Sequence, residues 1–172
     1  MKLELDNVIL RNFKVEDKDK IAEYANNKNI CRNLRDRMPS PYTMEDAIEF
    51  IEHCKDQDPV YNFAIEYEGE YVGTISLERD EDVYRHTAEI GYWIGEPHWG
   101  KEIVTKAVTL ITDYGFEQLK LARIHTGIFE YNVSSMRVLE KCGYRSEGIF
   151  EKNVYKDGAF YNEHRYSKIN PA

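Results

Sequence analysis

Glu89 to Tyr114 reads EIGYWIGEPHWGKEIVTKAVTLITDY, and Asn132 to Tyr144 reads NVSSMRVLEKCGY. In the first stretch a β-rich run passes through a short polar loop with a Gly-Lys pair, Gly100 and Lys101, into a segment of helical periodicity. A helix N-terminus offers unpaired backbone N–H groups and the positive end of the helix dipole, which together suit an anionic phosphate group. The second stretch opens on a capping residue, Asn132, and stops at Gly143, the pattern of a short helix. The two point to a ligand carrying a pyrophosphate, with chemistry performed beside it.

The elements that must position these residues follow from pattern. Val8 to Phe13 reads as a strand and Glu16 to Asn26 as a helix. Asn29 to Pro41 reads as irregular. Thr43 with Asp46 forms an acidic capping box for a helix whose apolar face is Ala47, Ile48, Phe50, Ile51 and Cys54. Asn62 to Tyr67 and Tyr71 to Leu77 are strands joined by a hairpin at Glu68-Gly69-Glu70. Thr87 to Ile94 is a strand, Lys101 to Glu117 a helix, Ala122 to Phe129 a strand and Val133 to Cys142 a short helix. Glu147 to Tyr155 and Phe160 to Ile169 close the chain as a hairpin around Lys156-Asp157-Gly158. The order β α α β β β α β α β β predicts an α+β (mixed α/β) fold with a largely antiparallel sheet. It argues against a doubly wound dinucleotide fold, and GxGxxG is absent.

With 172 residues and 42% hydrophobic composition, one domain over residues 1–172 with a substantial core is expected. No apolar run approaches the roughly 18 residues of a membrane span, and the N-terminus lacks a signal-peptide pattern. A cytoplasmic protein without a membrane partner is therefore expected. Cys31, Cys54 and Cys142 are odd in number and far apart, which predicts reduced thiols and neither a disulfide framework nor a metal site. A net charge of −8 argues against a nucleic-acid surface. It suits cationic substrates such as amines as well as plain solubility.

The landmarks ILRNF, PSPYTMEDAIEFI, AEIGYWIG, HWGKEIVTKAV, NVSSMRVLEKCGYRSEG and YKDGAFYNEHRYS, in this order and spacing, resemble the GCN5-related N-acetyltransferase (GNAT) superfamily, in particular its RimJ/RimL-like branch. The resemblance covers nearly the whole chain. It implies a central, mostly antiparallel seven-stranded sheet flanked by about four helices, with the fourth and fifth strands splayed to admit acetyl-CoA. It also implies acetyl transfer from acetyl-CoA to a primary amine, on a protein N-terminus or a small molecule. A monomer or homodimer fits. Backbone groups of Tyr92, Trp93 and Ile94 would bind the pantetheine arm, although Ile90, Tyr92 and Ile94 also alternate as core residues would.

The pyrophosphate loop of the family, Q/R-x-x-G-x-G/A, corresponds here to Trp99, Gly100, Lys101, Glu102, Ile103 and Val104, with Thr105 following. Glu102 stands where the family has glycine, and Val104 where it has a small residue. A carboxylate about 5 Å from a phosphate charge costs roughly 3 kcal/mol at an effective dielectric near 20, or about two orders of magnitude in affinity. Pointing into solvent it is largely screened, and an acid in a first helical turn is favoured by the dipole. Asn132 and Ser135 match the family's N-x-x-S, where the serine lies near the thioester sulfur. Capping of the helix accounts for Asn132 equally well, and the two roles are compatible.

By the same resemblance Glu89 holds the position of a general base that deprotonates the amine; a strand-edge glutamate facing solvent is the alternative. Amides near Tyr92 would stabilise the oxyanion. The family's tyrosine acid falls at Leu139, so it is missing, and Ser135 hydrogen-bonding the sulfur is its substitute; Tyr144, Tyr155 and Tyr166 are further candidates. Glu102, Val104 and Leu139 also suit a CoA-binding protein with reduced or lost catalysis, and an aminoglycoside or polyamine acetyltransferase shares the same chemistry. The acceptor would be shaped by Asn29 to Tyr42 and Tyr155 to Tyr161.

Overall fold

A computed structural model describes residues 1–172. The chain has β1 (Lys2–Leu5), β2 (Val8–Arg11), α1 (Lys18–Ala25), α2 (Lys28–Cys31), α3 (Met44–Lys55), β3 (Asn62–Tyr67) and β4 (Glu70–Arg79). After these come β5 (Thr87–Ile94), α4 (Ile103–Glu117), β6 (Arg123–Phe129), α5 (Val133–Lys141), β7 (Arg145–Lys156) and β8 (Ala159–Ile169). The class is the mixed α/β one expected, with eight strands instead of seven. The residues form two compact units, Met1–Ser76 with Tyr92–Leu110 and Leu77–Gly91 with Ile111–Ala172. No helix is long and apolar enough to cross a membrane.

In the first unit β1, β2, β3 and β4 are neighbours in that order, all antiparallel. The additional strand is β1, whose Leu3 and Leu5 lie opposite the buried Leu10 and Val8. Four residues with two charges among them are too short for a period-two pattern to stand out. The β3–β4 hairpin turns at Glu68 and Gly69, with φ of 53° and 84°, the two left-handed residues of a two-residue hairpin loop.

Tyr24 and Ile21 of α1, Ala47 and Ile51 of α3, and Ala64 and Tyr71 of the strands share one core with Trp93 packed against it. Thr43 and Asp46 form the expected reciprocal cap of α3. Ile48, expected on the apolar face, is 41% exposed. α1 begins later than Glu16, because Val15–Asp17 is a 3-10 turn. Asp17 is drawn inward there by the buried Arg11, at 2.8 and 2.9 Å. The segment expected to be irregular contains the single turn α2, capped by Asn27 accepting from the Asn29 amide at 2.8 Å.

In the second unit β6 pairs with β8 over its whole length and β8 with β7, both antiparallel. β5 and β6 are parallel, and their ladder holds only Thr87↔Arg123, Ala88↔Ile124 and Glu89↔His125. β5 and β6 both continue past that last rung. Ile111 and Tyr114 of α4 are buried, as are Leu121, Ile124 and Leu139. Gly115 lets Ile124, Leu77 and Leu121 approach α4 so closely that a Cβ there would sit 3.0–3.2 Å from their methyls. α5 ends as expected on Gly143, at φ 82°, with the Tyr144 amide returning to the Leu139 carbonyl at 3.0 Å.

Candidate active site

In the first unit β5 ends where the Gly95 amide donates to the Val72 carbonyl at 2.8 Å. Tyr24 lies flat against Gly95. The chain then makes a 3-10 turn, Glu96–His98. Trp99 folds back to donate its indole N–H to the Ile94 carbonyl at 3.0 Å, leaving the residue 45% exposed.

Gly100 and Glu102 have left-handed φ of 75° and 58°, and Lys101 between them does not. Alternation of this kind turns successive N–H groups to one side, a concavity suited to an anion. α4 starts immediately afterwards, the first bond of the helix running from the Lys106 amide to the Glu102 carbonyl at 3.2 Å. Lys101 and Glu102 are thus outside the helix that was expected to begin at Lys101.

Ile103 is 1% exposed and belongs to the core, so only its backbone is available to a ligand. Val104 and Thr105 are half-buried. The Lys101 ammonium lies 5.9 Å from the Tyr67 ring centre. Lys106 is tied to Asp6 at 3.1 Å and to Asn7 at 3.0 Å.

Two features of this unit escape the sequence reading. The Glu96 carboxylate accepts from Asn27 at 2.7 Å and from Asn29, which holds it below its ordinary pKa, and it lines a cavity of about 330 Å³ with Glu23, Tyr24, Asn27 and Pro97. His98 Nε2 lies 3.3 Å from the Tyr24 hydroxyl, while its buried Nδ1 has no partner. Desolvation, with Lys101 nearby, pushes the His98 imidazole below its ordinary value.

In the second unit Glu89 is half-buried on β5 and forms the last rung of the parallel ladder with His125. Asn132 caps α5, its Oδ1 accepting from the Ser135 amide at 3.4 Å and from the Ser134 hydroxyl at 3.3 Å. Ser135 is 9% exposed. Leu139 is wholly buried, so no acid occupies that position.

Of the other tyrosines, Tyr144 shares a hydrogen bond with Thr112 at 2.8 Å, and Tyr166 donates to Glu140 at 3.0 Å. Burial and that glutamate raise the Tyr166 pKa. Tyr155 is 61% exposed, its ring tilted at 53° against that of Phe160 with centroids 5.0 Å apart. Sequence reasoning also missed Asp80, His125, Glu163 and Arg165, which form a connected polar group on this unit. Alternation along RIHTGIF puts Arg123 and His125 on one face, but their partners come from other strands.

The chain matches the family model described as acetyltransferase (GNAT) domain over residues 7–145. It is 41% identical over 135 residues to Probable N-acetyltransferase YjcK of Bacillus subtilis (strain 168), covering 76% of this chain and 75% of that protein. It is 27% identical to spermidine N(1)-acetyltransferase of Escherichia coli (strain K12), covering 91% and 82%. Among solved structures, ribosomal-protein-S5-alanine acetyltransferase from Vibrio fischeri superposes with a TM-score of 0.83 at 26% identity, covering 99% of this chain and 97% of that one.

Proposed function

The chain belongs to the GNAT acetyltransferase family, whose members transfer an acetyl group from acetyl-CoA to an amine, and we propose that its acceptor is the α-amine of a protein N-terminus. The likeness to the S5-alanine acetyltransferase over almost the full length of both chains supports that choice. The likeness to spermidine N(1)-acetyltransferase, with a net charge of −8, favours a small cationic amine as the second reading.

One observation carries the donor side. Gly100 and Glu102 are left-handed on either side of Lys101, immediately before α4, a backbone arrangement at a helix N-terminus that suits an anion. In the first unit the main chain of Tyr92, Trp93 and Ile94 binds the pantetheine arm. Trp99, Gly100, Lys101, Glu102, Ile103, Val104 and Thr105 hold the pyrophosphate, largely through backbone N–H groups. In the second unit Asn132 orients the start of α5, and the Ser135 hydroxyl donates toward the sulfur. Acetyl-CoA supplies a thioester carbonyl as the electrophile. Glu89 takes the proton from the ammonium form of the acceptor so that its lone pair is free to attack. The Tyr92 amide stabilises charge developing on the carbonyl oxygen.

The test is CoA thiol release from acetyl-CoA with an acceptor panel: peptides with free and with blocked N-termini, and spermidine. Turnover that requires a free peptide N-terminus supports the reading. Turnover with spermidine alone transfers it to the small-amine class, and no turnover with any acceptor sinks both.

A further inference from the structure

A run of hydrogen bonds crosses the second unit at the rung where the β5–β6 ladder stops. Arg165 on β8 donates from one nitrogen to Glu163 at 2.9 Å and from the other toward His125 Nδ1 at 3.1 Å. His125 Nε2 lies 2.9 Å from Asp80, which also accepts from the Thr87 hydroxyl. A guanidinium only donates, so Nδ1 must be the accepting nitrogen and the imidazole proton must sit on Nε2, facing Asp80. The direction of the whole run is therefore set. Burial opposes ionisation of Asp80, yet the bonds from Thr87 and His125 hold its carboxyl below the ordinary value.

The backbone is shaped for this run. Gly127 on β6 lies beneath the Arg165–Glu163 pair, and a Cβ there would stand 2.6 Å from Glu163 Oε2 and 2.7 Å from Arg165 Nη1. Without a side chain at that position the pair lies down on β6, and the guanidinium reaches the imidazole.

We infer that His125 is a positioning residue for the transfer step, a clasp at the root of the splay. It is the ladder partner of Glu89, so the two side chains leave the same face of neighbouring strands. Clamped between Asp80 and Arg165, its ring fixes the side of β6 against which Glu89 must orient. The inference rests on the reading of Glu89 as the base, and its test has a part that does not.

That part is the nitrogen spectrum of the imidazole, with the His125 signals identified by their loss in His125→Gln. A ring with its proton on Nε2 and Nδ1 accepting, lost as a single form in Arg165→Met and Gly127→Ala, is the expected result. A proton on Nδ1, or a doubly protonated ring in the wild type, overturns the clasp. The kinetic part compares His125→Leu with His125→Gln. Gln retains a donor toward Asp80 and an acceptor on the same side chain, so its kcat stays within a few-fold, while Leu loses on the order of tenfold to a hundredfold with KM for acetyl-CoA held. Equal losses in the two variants, or no loss in either, remove His125 from the step. A wild type with the expected spectrum and no turnover would sink the transferase reading and leave the clasp standing.

Discussion

Gly100 and Glu102 share a left-handed backbone, at φ 75° and 58°, on either side of Lys101. The family's glycine where this chain has Glu102 thus has a conformational reason as well as an electrostatic one. A left-handed conformation costs a residue with a Cβ about 1 kcal/mol or more, and glycine nothing comparable. This chain bears that cost and places a carboxylate there too. Glu102→Gly is expected to raise stability by roughly 0.5–1 kcal/mol and to tighten CoA binding several-fold, read by thermal melts and by calorimetry. Stabilisation with unchanged affinity would show that the Glu102 carboxylate does not face the phosphates.

Asn132 has two separable roles. As cap of α5 it accepts from the Ser135 amide; as a ligand group it would touch CoA. Asp is an equally good cap but adds a negative charge, whereas Ala removes the cap at about 1 kcal/mol. Asn132→Asp should therefore keep the melting temperature and weaken CoA binding, and Asn132→Ala should lower both. Normal CoA affinity in Asn132→Asp would confine this residue to capping.

Gly95 is a glycine for steric reasons alone. Its φ of −55° is open to any residue, but a Cβ would stand 2.6–2.8 Å from the Tyr24 ring. Gly95→Ala is expected to destabilise by about 1–3 kcal/mol in denaturant unfolding. Adding Tyr24→Leu should recover part of the loss. If the double variant loses the sum of the single losses, the clash lies elsewhere.

Local signals in the chain carried the elements. Thr43 with Asp46, Gly143, and the Glu68-Gly69 and Asp157-Gly158 turns act within a few residues of themselves, and each appears in the structure as expected. β1 and α2 escaped because four residues give periodicity too little length to register. Glu102 was legible as a departure from the family pattern, but its left-handed backbone was not, since φ depends on how the loop enters α4. The Asp80–His125–Arg165–Glu163 run was invisible for a different reason. It joins residues as much as 85 positions apart (165 − 80), and only strand register decides that β8 places Arg165 across from Gly127.

Glu89→Gln keeps the size and hydrogen-bonding reach of the side chain and removes its capacity to accept a proton. An acceptor amine is mostly protonated at neutral pH, and more so below it. Loss of a general base is expected to lower kcat by about 10²-fold or more, with the deficit growing as pH falls and CoA affinity unchanged. A pH–rate profile parallel to the wild type, at near-normal height, would exclude Glu89 as the base.

Arg123 and Glu147 link β6 to β7 in a two-pronged ion pair, and Ser167 donates to the same carboxylate at 2.6 Å. Chiefly through the hydrogen bond from Arg123, the Glu147 carboxyl is held down to about 2 in the folded chain. An unfolded glutamate titrates near 4.3, so between these values the unfolded state binds the extra proton. The stabilisation is therefore complete above roughly pH 5 and is lost as pH falls toward 2. Glu147 is 38% exposed at its side chain, and solvent screening limits the effect to less than about 1 kcal/mol. Glu147→Gln, which cannot ionise, should melt slightly below the wild type at pH 7 and approach it as the pH drops through this window. A stability difference that stays constant from pH 6 to pH 2 would mean that the pair contributes by packing and not by charge.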